Sequence, residues 1–291
     1  MTAEIAVFNK SAVALAADSA VTISGGGKHK IYNGAEKLFA LTKHHPVGVM
    51  VYGAGDLCSA PWELVIKAYR KKLGDNHFPN LEGYVSDFFD FLEKSNDIVT
   101  PGMREDNLYQ YLSDGVFDLL FDTFADPKEP SYWNPLDHQL FFTEFVEYCQ
   151  ELLEHLSDTD FLEGFSGDDL DDARAFCDGL SVRIVADKLG RLPEVDVPPD
   201  FYKVLASIFA AMICKINDVG NITGIVFAGY GENDYYPKVL SFDIGGYFND
   251  KVRRYKNEGK CSSGGESGVT PFAQSEEAGA FMQGANQGLL G

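Results

Sequence analysis

Three features of this 291-residue sequence predict an α+β fold with antiparallel sheets. Short apolar runs come in pairs around polar turns near the start of the chain, and such runs return after residue 222. Between the two regions lies a long stretch in which apolar residues, many of them aromatic, recur every three or four positions. Strands and helices therefore run in blocks, which argues against a parallel sheet built from alternating strands and helices.

The first pair of runs, 3–8 and 12–17, surrounds Asn9-Lys10-Ser11 and reads as a hairpin. Residues 38–41 and 47–52 flank Thr42-Lys43-His44-His45-Pro46 and read as a second. Strands this close together, without an intervening helix, predict antiparallel pairing. Pro61 suits the first turn of a helix, in which Trp62, Val65, Ile66, Tyr69 and Leu73 form one apolar stripe. Lys67, Arg70, Lys71 and Lys72 give that helix a solvated basic end. Three more stripes follow: Phe88, Phe89, Phe91 and Leu92; then Tyr109, Leu112, Val116, Leu119 and Leu120; then Phe141, Phe142, Phe145, Tyr148, Leu152 and Leu153. Prolines at 127, 130 and 135 break them. Residues 181–186 read as a short strand and 191–199 as a Pro-rich connector. A stripe through Val204, Leu205, Ile208, Phe209 and Met212 predicts a helix over 201–217. Two or three strands are expected between 222 and 255, a polar glycine-rich loop over 259–268, and a helix over 271–284. The expected organisation is a core begun by residues 1–74, a mostly helical insertion over 75–200, and a return to the core over 201–291.

Composition narrows the function. Hydrophobic residues form 45% of the chain, enough for a packed interior. A net charge of −20 argues against a nucleic-acid partner. Residues 151–172 hold nine Asp or Glu and no Lys or Arg, which reads as a solvated acidic face. Within it, Asp168-Asp169-Leu170-Asp171-Asp172 lacks the alternating ligands and central glycine of an EF-hand loop. Cys58, Cys149, Cys177, Cys214 and Cys261 are scattered without a CxxC pair, predicting reduced thiols and a cytoplasmic location. The six His show no ligand spacing, and His44-His45 before Pro46 reads as a turn, so neither metal nor cofactor is expected. No apolar run approaches the ~18–20 residues of a membrane span and no secretory signal opens the chain, so no membrane association is expected. Gly229-Tyr230-Gly231 is not followed by the Gly-Lys of a phosphate loop, and no Gly-x-Ser-x-Gly elbow occurs.

Candidate chemistry lies at the start of the chain. Thr2 follows Met1, and removal of Met1 would leave a free α-amine and a hydroxyl on one residue, a nucleophile with its own base. An unperturbed α-amine titrates near pH ~8, so part of it is neutral at pH 7. Asp18 ends the run Val13-Ala14-Leu15-Ala16-Ala17, and Lys37 heads Leu38-Phe39-Ala40-Leu41. Lys30 stands before Ile31-Tyr32. Gly53 closes the run Val47-Gly48-Val49-Met50-Val51-Tyr52.

Taken together, Thr2-Ala3-Glu4-Ile5-Ala6-Val7 and Ala12-Val13-Ala14-Leu15-Ala16-Ala17-Asp18-Ser19 resemble the start of proteasome β-type subunits, members of the N-terminal-nucleophile (Ntn) hydrolases. The resemblance covers residues 2–73 and, less well, 200–284, where Ile225-Val226-Phe227-Ala228-Gly229 and Lys238-Val239-Leu240-Ser241-Phe242-Asp243 are similar to a later pair of family strands. It implies a four-layer αββα sandwich and hydrolysis of a peptide or amide substrate. Thr2 would be the nucleophile, Asp18 the acid that holds Lys37, Lys37 the cation beside the hydroxyl, with Lys30 as its competing match, and Gly53 the backbone donor to the oxyanion. Loss of one such donor costs about 3–4 kcal/mol. Ser263, in Ser262-Ser263-Gly264-Gly265-Glu266-Ser267, matches a family loop near the nucleophile. The resemblance also implies a homo-oligomer, and leaves open an ATPase partner. It implies further family elements after Gly284, whereas the chain given ends at Gly291, so either it is shortened or its fold closes differently. Two other functions stay open: a non-proteolytic amidohydrolase acting on a small molecule, and an inactive structural or interaction subunit.

Overall fold

The computed structural model describes residues 4–18, 20–25, 28–33, 36–125, 138–190 and 197–272. In chain order it begins with β1 (Glu4–Phe8), β2 (Val13–Ala17), β3 (Ala20–Gly25), β4 (Lys28–Asn33), β5 (Leu38–Ala40), β6 (Val47–Gly53), β7 (Asp56–Leu57) and β8 (Ala60–Pro61). Helices follow: α1 (Trp62–Leu73), α2 (Leu81–Lys94), α3 (Pro101–Gln110), a π-helical segment Tyr111–Phe117, α4 (Asp118–Ala125), α5 (His138–Ser157), α6 (Gly167–Leu189) and α7 (Pro199–Cys214). The chain then returns to strands in β9 (Thr223–Gly229), β10 (Lys238–Phe248), β11 (Lys251–Lys256) and β12 (Gly268–Pro271). This is the expected α+β order, and the described strand pairs are antiparallel.

The chain divides into two compact units, one of residues 1–104, 221–246 and 254–291, the other of 105–220 and 247–253. In the first, β12-β1-β2 form a three-stranded sheet and β11-β10-β9-β6-β5 a five-stranded one. The β1–β2 turn is held by Asn9, whose Oδ1 accepts from the N–H groups of Ser11 (2.7 Å) and Ala12 (3.0 Å). Ala6 of the small sheet packs with Met50, Val226, Ala228 and Val239 of the large one, and Phe8, Val13, Leu15, Ala17 and Tyr52 pack against this cluster. The two sheets thus share a core. On the opposite face of the large sheet, Phe88 and Phe89 of α2 meet Phe227 edge-on, at 5.3 and 6.3 Å between ring centroids. The period of two explains why β9 is buried along its whole length: Val226 and Ala228 face the small sheet while Phe227 faces the helix. Sheet, sheet and helix layers are therefore present among the described residues.

The hairpin β3–β4 pairs from Ala20↔Asn33 to Gly25↔Lys28. Ser24 and Gly25 form the end of β3.

The second unit is built from helices rich in aromatic contacts. Phe201 of α7 meets Phe142 and Phe145 of α5 at 4.9 and 5.1 Å, and Phe124 meets Phe141 and Phe145 at 5.3 Å each. In the π-helical segment the Tyr111 hydroxyl donates to the Met212 carbonyl (3.0 Å) and contacts Asn217 Oδ1 (2.9 Å), while the Arg253 guanidinium stacks over its ring at 4.1 Å.

One expectation fails here. Residues 181–186 are not a strand but the last turns of α6. The buried residues of α6 are Ala173, Cys177, Ser181, Ile184 and Val185, spaced by three and four, whereas Val182 is 50% exposed. That helical stripe is easily missed because three of its members are small. A capping box between Ser166 and Asp169 starts the helix, which puts the acidic run at 168–172 into its first turns. The helix expected over 271–284 also differs at its start, since Pro271 pairs with Ile5 as part of β12. Residues 273–284 lie outside the described residues.

Candidate functional site

The small sheet ends where three charged side chains converge. Glu4 opens β1 and stands opposite Ala17 in the ladder, so it is one position from Asp18, which directly follows β2. Alternation along β1 turns Glu4 and Ala6 inward and leaves Val7 46% exposed. Lys37 directly precedes β5, and its carbonyl accepts from the Val51 N–H at 2.9 Å, which ties it to β6. From this position the Lys37 Nζ donates to Glu4 Oε1 at 2.9 Å and to Asp18 Oδ1 at 2.6 Å. The main chain of Glu4 is fixed as well, because its carbonyl accepts from the Phe272 N–H at 2.9 Å.

Burial distinguishes the two carboxylates. The Glu4 side chain has 0% exposed surface, that of Lys37 8% and that of Asp18 35%. Burial pushes the Glu4 carboxyl above its ordinary value, and the hydrogen bond and charge of Lys37 pull against that rise. Its second oxygen, Oε2, is buried without a hydrogen-bond partner among the described residues. An ammonium gripped by two carboxylates, with one buried acceptor left over, can hold a positive charge in a fixed place and accept one more donor.

Asp18 and Lys37 are brought together. Thr2 lies outside the described residues. Lys30 belongs to β4, opposite Ile23, and its side chain is outside the description. Gly53 ends β6, two residues beyond Val51 and opposite Thr223, with a φ of 81°. A β-carbon there would stand 2.5 Å from the Ile222 carbonyl oxygen, so the backbone fits glycine. Ser263 is exposed in a turn, where its N–H donates to Glu266 Oε2 at 2.8 Å. Its neighbour Ser262 is the buried one, with Oγ accepting from the Val239 N–H at 3.1 Å.

Sequence reasoning missed Glu4. A charged residue opening an otherwise apolar strand, on the same face as Ala6, was the available signal. It also missed a second polar group in this unit: Tyr52 donates to Asp243 Oδ1 (3.2 Å), Asn257 donates to Asp243 Oδ2 (2.9 Å), and Lys260 lies 4.8 Å from the Tyr52 ring centroid.

No family model matches this chain, and neither a curated protein nor a solved structure matches it. No described helix is long and apolar enough to cross a membrane.

A groove of about 500 Å³ lies along β2, β5 and β6. Its lining runs from Leu38, the residue after Lys37, through Phe39, Val47 and Val49, with Val13 and Leu15 of β2 on the other side and His45 and Tyr230 also in the wall. Most of this lining is apolar, which suits an aliphatic or aromatic side chain.

Proposed function

We propose that this protein is an N-terminal-threonine amide-bond hydrolase, built as an Ntn sandwich and most closely suited to peptide substrates. The single observation that carries the reading is the Lys37 ammonium, held at 2.6 Å by Asp18 and 2.9 Å by Glu4 near the beginning of the chain. Thr2 stands two residues before Glu4 in the sequence. Removal of Met1 makes the Thr2 amine available as base.

The chemistry then runs in two halves. The Thr2 hydroxyl oxygen attacks the substrate carbonyl, and the α-amine takes the hydroxyl proton. Lys37 supplies the fixed positive charge that favours the alkoxide, and the Gly53 N–H is assigned to the oxyanion. Collapse passes the proton to the leaving amine and leaves an ester on Thr2. Water, deprotonated by the same amine, hydrolyses that ester and restores the hydroxyl. The apolar groove next to Leu38 receives a substrate side chain. The resemblance to proteasome β-type subunits supports a homo-oligomer, and the scattered cysteines without a CxxC pair support a cytoplasmic setting.

Intact-mass measurement with and without a threonine-directed acylating probe tests the reading. The expected result is loss of Met1 and a single adduct, both the adduct and peptide cleavage disappearing in Thr2→Ala. A chain that retains Met1, or an adduct that persists in Thr2→Ala, overturns it. A labelled protein that leaves a peptide library intact moves the assignment to a small-molecule amidohydrolase.

A further inference from the structure

A second cluster sits at the end of the large sheet where the β5–β6 and β9–β10 connections meet. Because β6 and β9 pair with Val47 opposite Gly229, the residues before β6 and those after β9 are neighbours. His45 comes from the first connection and Glu232 from the second, while His77 comes from the loop between α1 and α2. One donor atom from each of the three side chains lies within 4.8 Å of the others. His77 Nε2 is 3.3 Å from Glu232 Oε1, and the rings of His45 and His77 are 5.3 Å apart at their centroids.

The connections are pinned, so the three donors do not meet by chance of a loose loop. The Glu232 N–H donates to the Phe78 carbonyl (3.1 Å) and the Asn233 N–H to the Pro79 carbonyl (2.7 Å). Asp234 Oδ2 accepts from the N–H groups of Leu81 (2.8 Å) and Gly231 (3.0 Å). Gly231 packs directly on the Asn80 backbone, leaving no room for a β-carbon. On the other side the Thr42 hydroxyl donates to the His45 carbonyl (2.6 Å) and accepts from the His45 N–H (2.8 Å).

We propose that His45, His77 and Glu232 form a binding site for one divalent transition-metal ion of the zinc class. Two imidazoles and a carboxylate are borderline donors that favour zinc and its neighbours over magnesium or calcium, which take oxygen ligands. The 3.3 Å spacing of His77 and Glu232 is the edge expected when two ligands sit about 2.0–2.1 Å from a tetrahedral ion. Three protein donors leave a fourth position for water or a ligand, and His45 also lines the apolar groove. The site uses neither Thr2 nor Lys37, so its fate is independent of the hydrolase reading.

The test is zinc binding by the full chain, stripped with EDTA and desalted, read by native mass spectrometry and by calorimetry with Zn²⁺ alone. One zinc per chain is expected, with no equivalent uptake of Mg²⁺ or Ca²⁺. Co²⁺ at the same site should give the intense visible absorption of a four-coordinate ion. His77→Ala and Glu232→Gln should each weaken zinc by at least about 10–100-fold, the loss seen even for partners outside the ligand set. His44→Ala, at a neighbouring side chain 62% exposed, should leave zinc affinity unchanged. The side chains of His77 and Glu232 are about half exposed, at 50% and 46%, so both variants should keep the wild-type melting temperature in EDTA. Glu232→Gln preserves shape and decides the matter if His77→Ala misfolds. Failure of the wild type to bind zinc, or undiminished binding in Glu232→Gln, overturns the proposal.

Discussion

Replacing Lys37 by Met keeps a long side chain and deletes its charge, leaving the Glu4 carboxylate with no exposed surface and without the ammonium it pairs with. Removing one partner of a buried ion pair costs about 3–5 kcal/mol when the other stays charged. Glu4 can escape by taking a proton. From its ordinary value of 4.5, at about 1.36 kcal/mol per pH unit, protonation costs about 3.4 kcal/mol at pH 7 and about 0.7 kcal/mol at pH 5. The cheaper route governs, so the deficit is about 3 kcal/mol at pH 7 and under about 1 kcal/mol at pH 5. The sign follows from the direction of the shift. Burial already raises the Glu4 pKa and Lys37 opposes that rise, so losing Lys37 raises it further. A carboxyl whose folded pKa exceeds its unfolded value favours the folded state below the unfolded value and loses that advantage as pH rises through the folded one. The defect must therefore open with increasing pH. Urea unfolding of wild type, Lys37→Met, Glu4→Gln and the double variant at both pH values measures it. Trp62, 1% exposed in the same unit, serves as reporter in a Trp133→Phe background. The double variant should recover most of the loss at pH 7. Asp18→Asn, at a side chain 35% exposed, should cost only about 0–1 kcal/mol of stability. A Lys37→Met deficit equal at the two pH values, or a double variant as unstable as Lys37→Met, would refute the buried-pair argument.

Two further outcomes check the framework around the site. Gly53→Ala should destabilise the first unit by at least about 1–2 kcal/mol, the cost of a side chain in the left-handed region, because φ is 81° and the new β-carbon would meet the Ile222 oxygen at 2.5 Å; an unchanged urea midpoint would show that this reading of the β6 end is wrong. Burial pushes the thiols of Cys149, Cys177 and Cys214 up to about 12, so at pH 8 only about one in ten thousand of each is thiolate. Ellman titration of the native protein should then find at most Cys58 and Cys261 reactive, and all five thiols in guanidine; rapid reaction of three or more in the native state would contradict the packing.

What could be read in advance followed the strength of local pattern. The hairpins β1–β2 and β5–β6 and helices α1, α2, α5 and α7 carry their apolar residues at the spacing of their own element, and they stood out from sequence. The end of α6 did not, since Val182, Ile184 and Val185 are β-branched and the buried partners that reveal the helix, Ala173 and Cys177, are small. At the candidate site, Asp18 and Lys37 were legible because each flanks an apolar strand. Glu4 was hidden because its meaning depends on Lys37 arriving from 33 residues away. The His45, His77 and Glu232 group was illegible for the same reason: the β6–β9 pairing brings two of its loops together, and hydrogen bonds from Glu232 and Asn233 to Phe78 and Pro79 add the third.

A lysine between two acids is a common structural staple, and this one must be told apart from such a staple. A pure staple would favour complete satisfaction of its acceptors, since a buried carboxylate oxygen without a donor is costly. Here Asp18 remains partly in solvent while Glu4, the more deeply buried acid, keeps Oε2 without a partner among the described residues. Among the described residues Glu4 Oε2 is thus open to one further donor. A buried acceptor of this kind is completed by a bound water or by a group that arrives during function. In the hydrolase reading that donor is the Thr2 amine after it has accepted the hydroxyl proton, and the Glu4 carboxylate then stabilises the charge at the moment it forms. This separates two roles that stability alone would merge. Glu4→Gln should leave Lys37 in place through Asp18 yet slow acylation of Thr2 by the probe, whereas a staple would show only a change in unfolding.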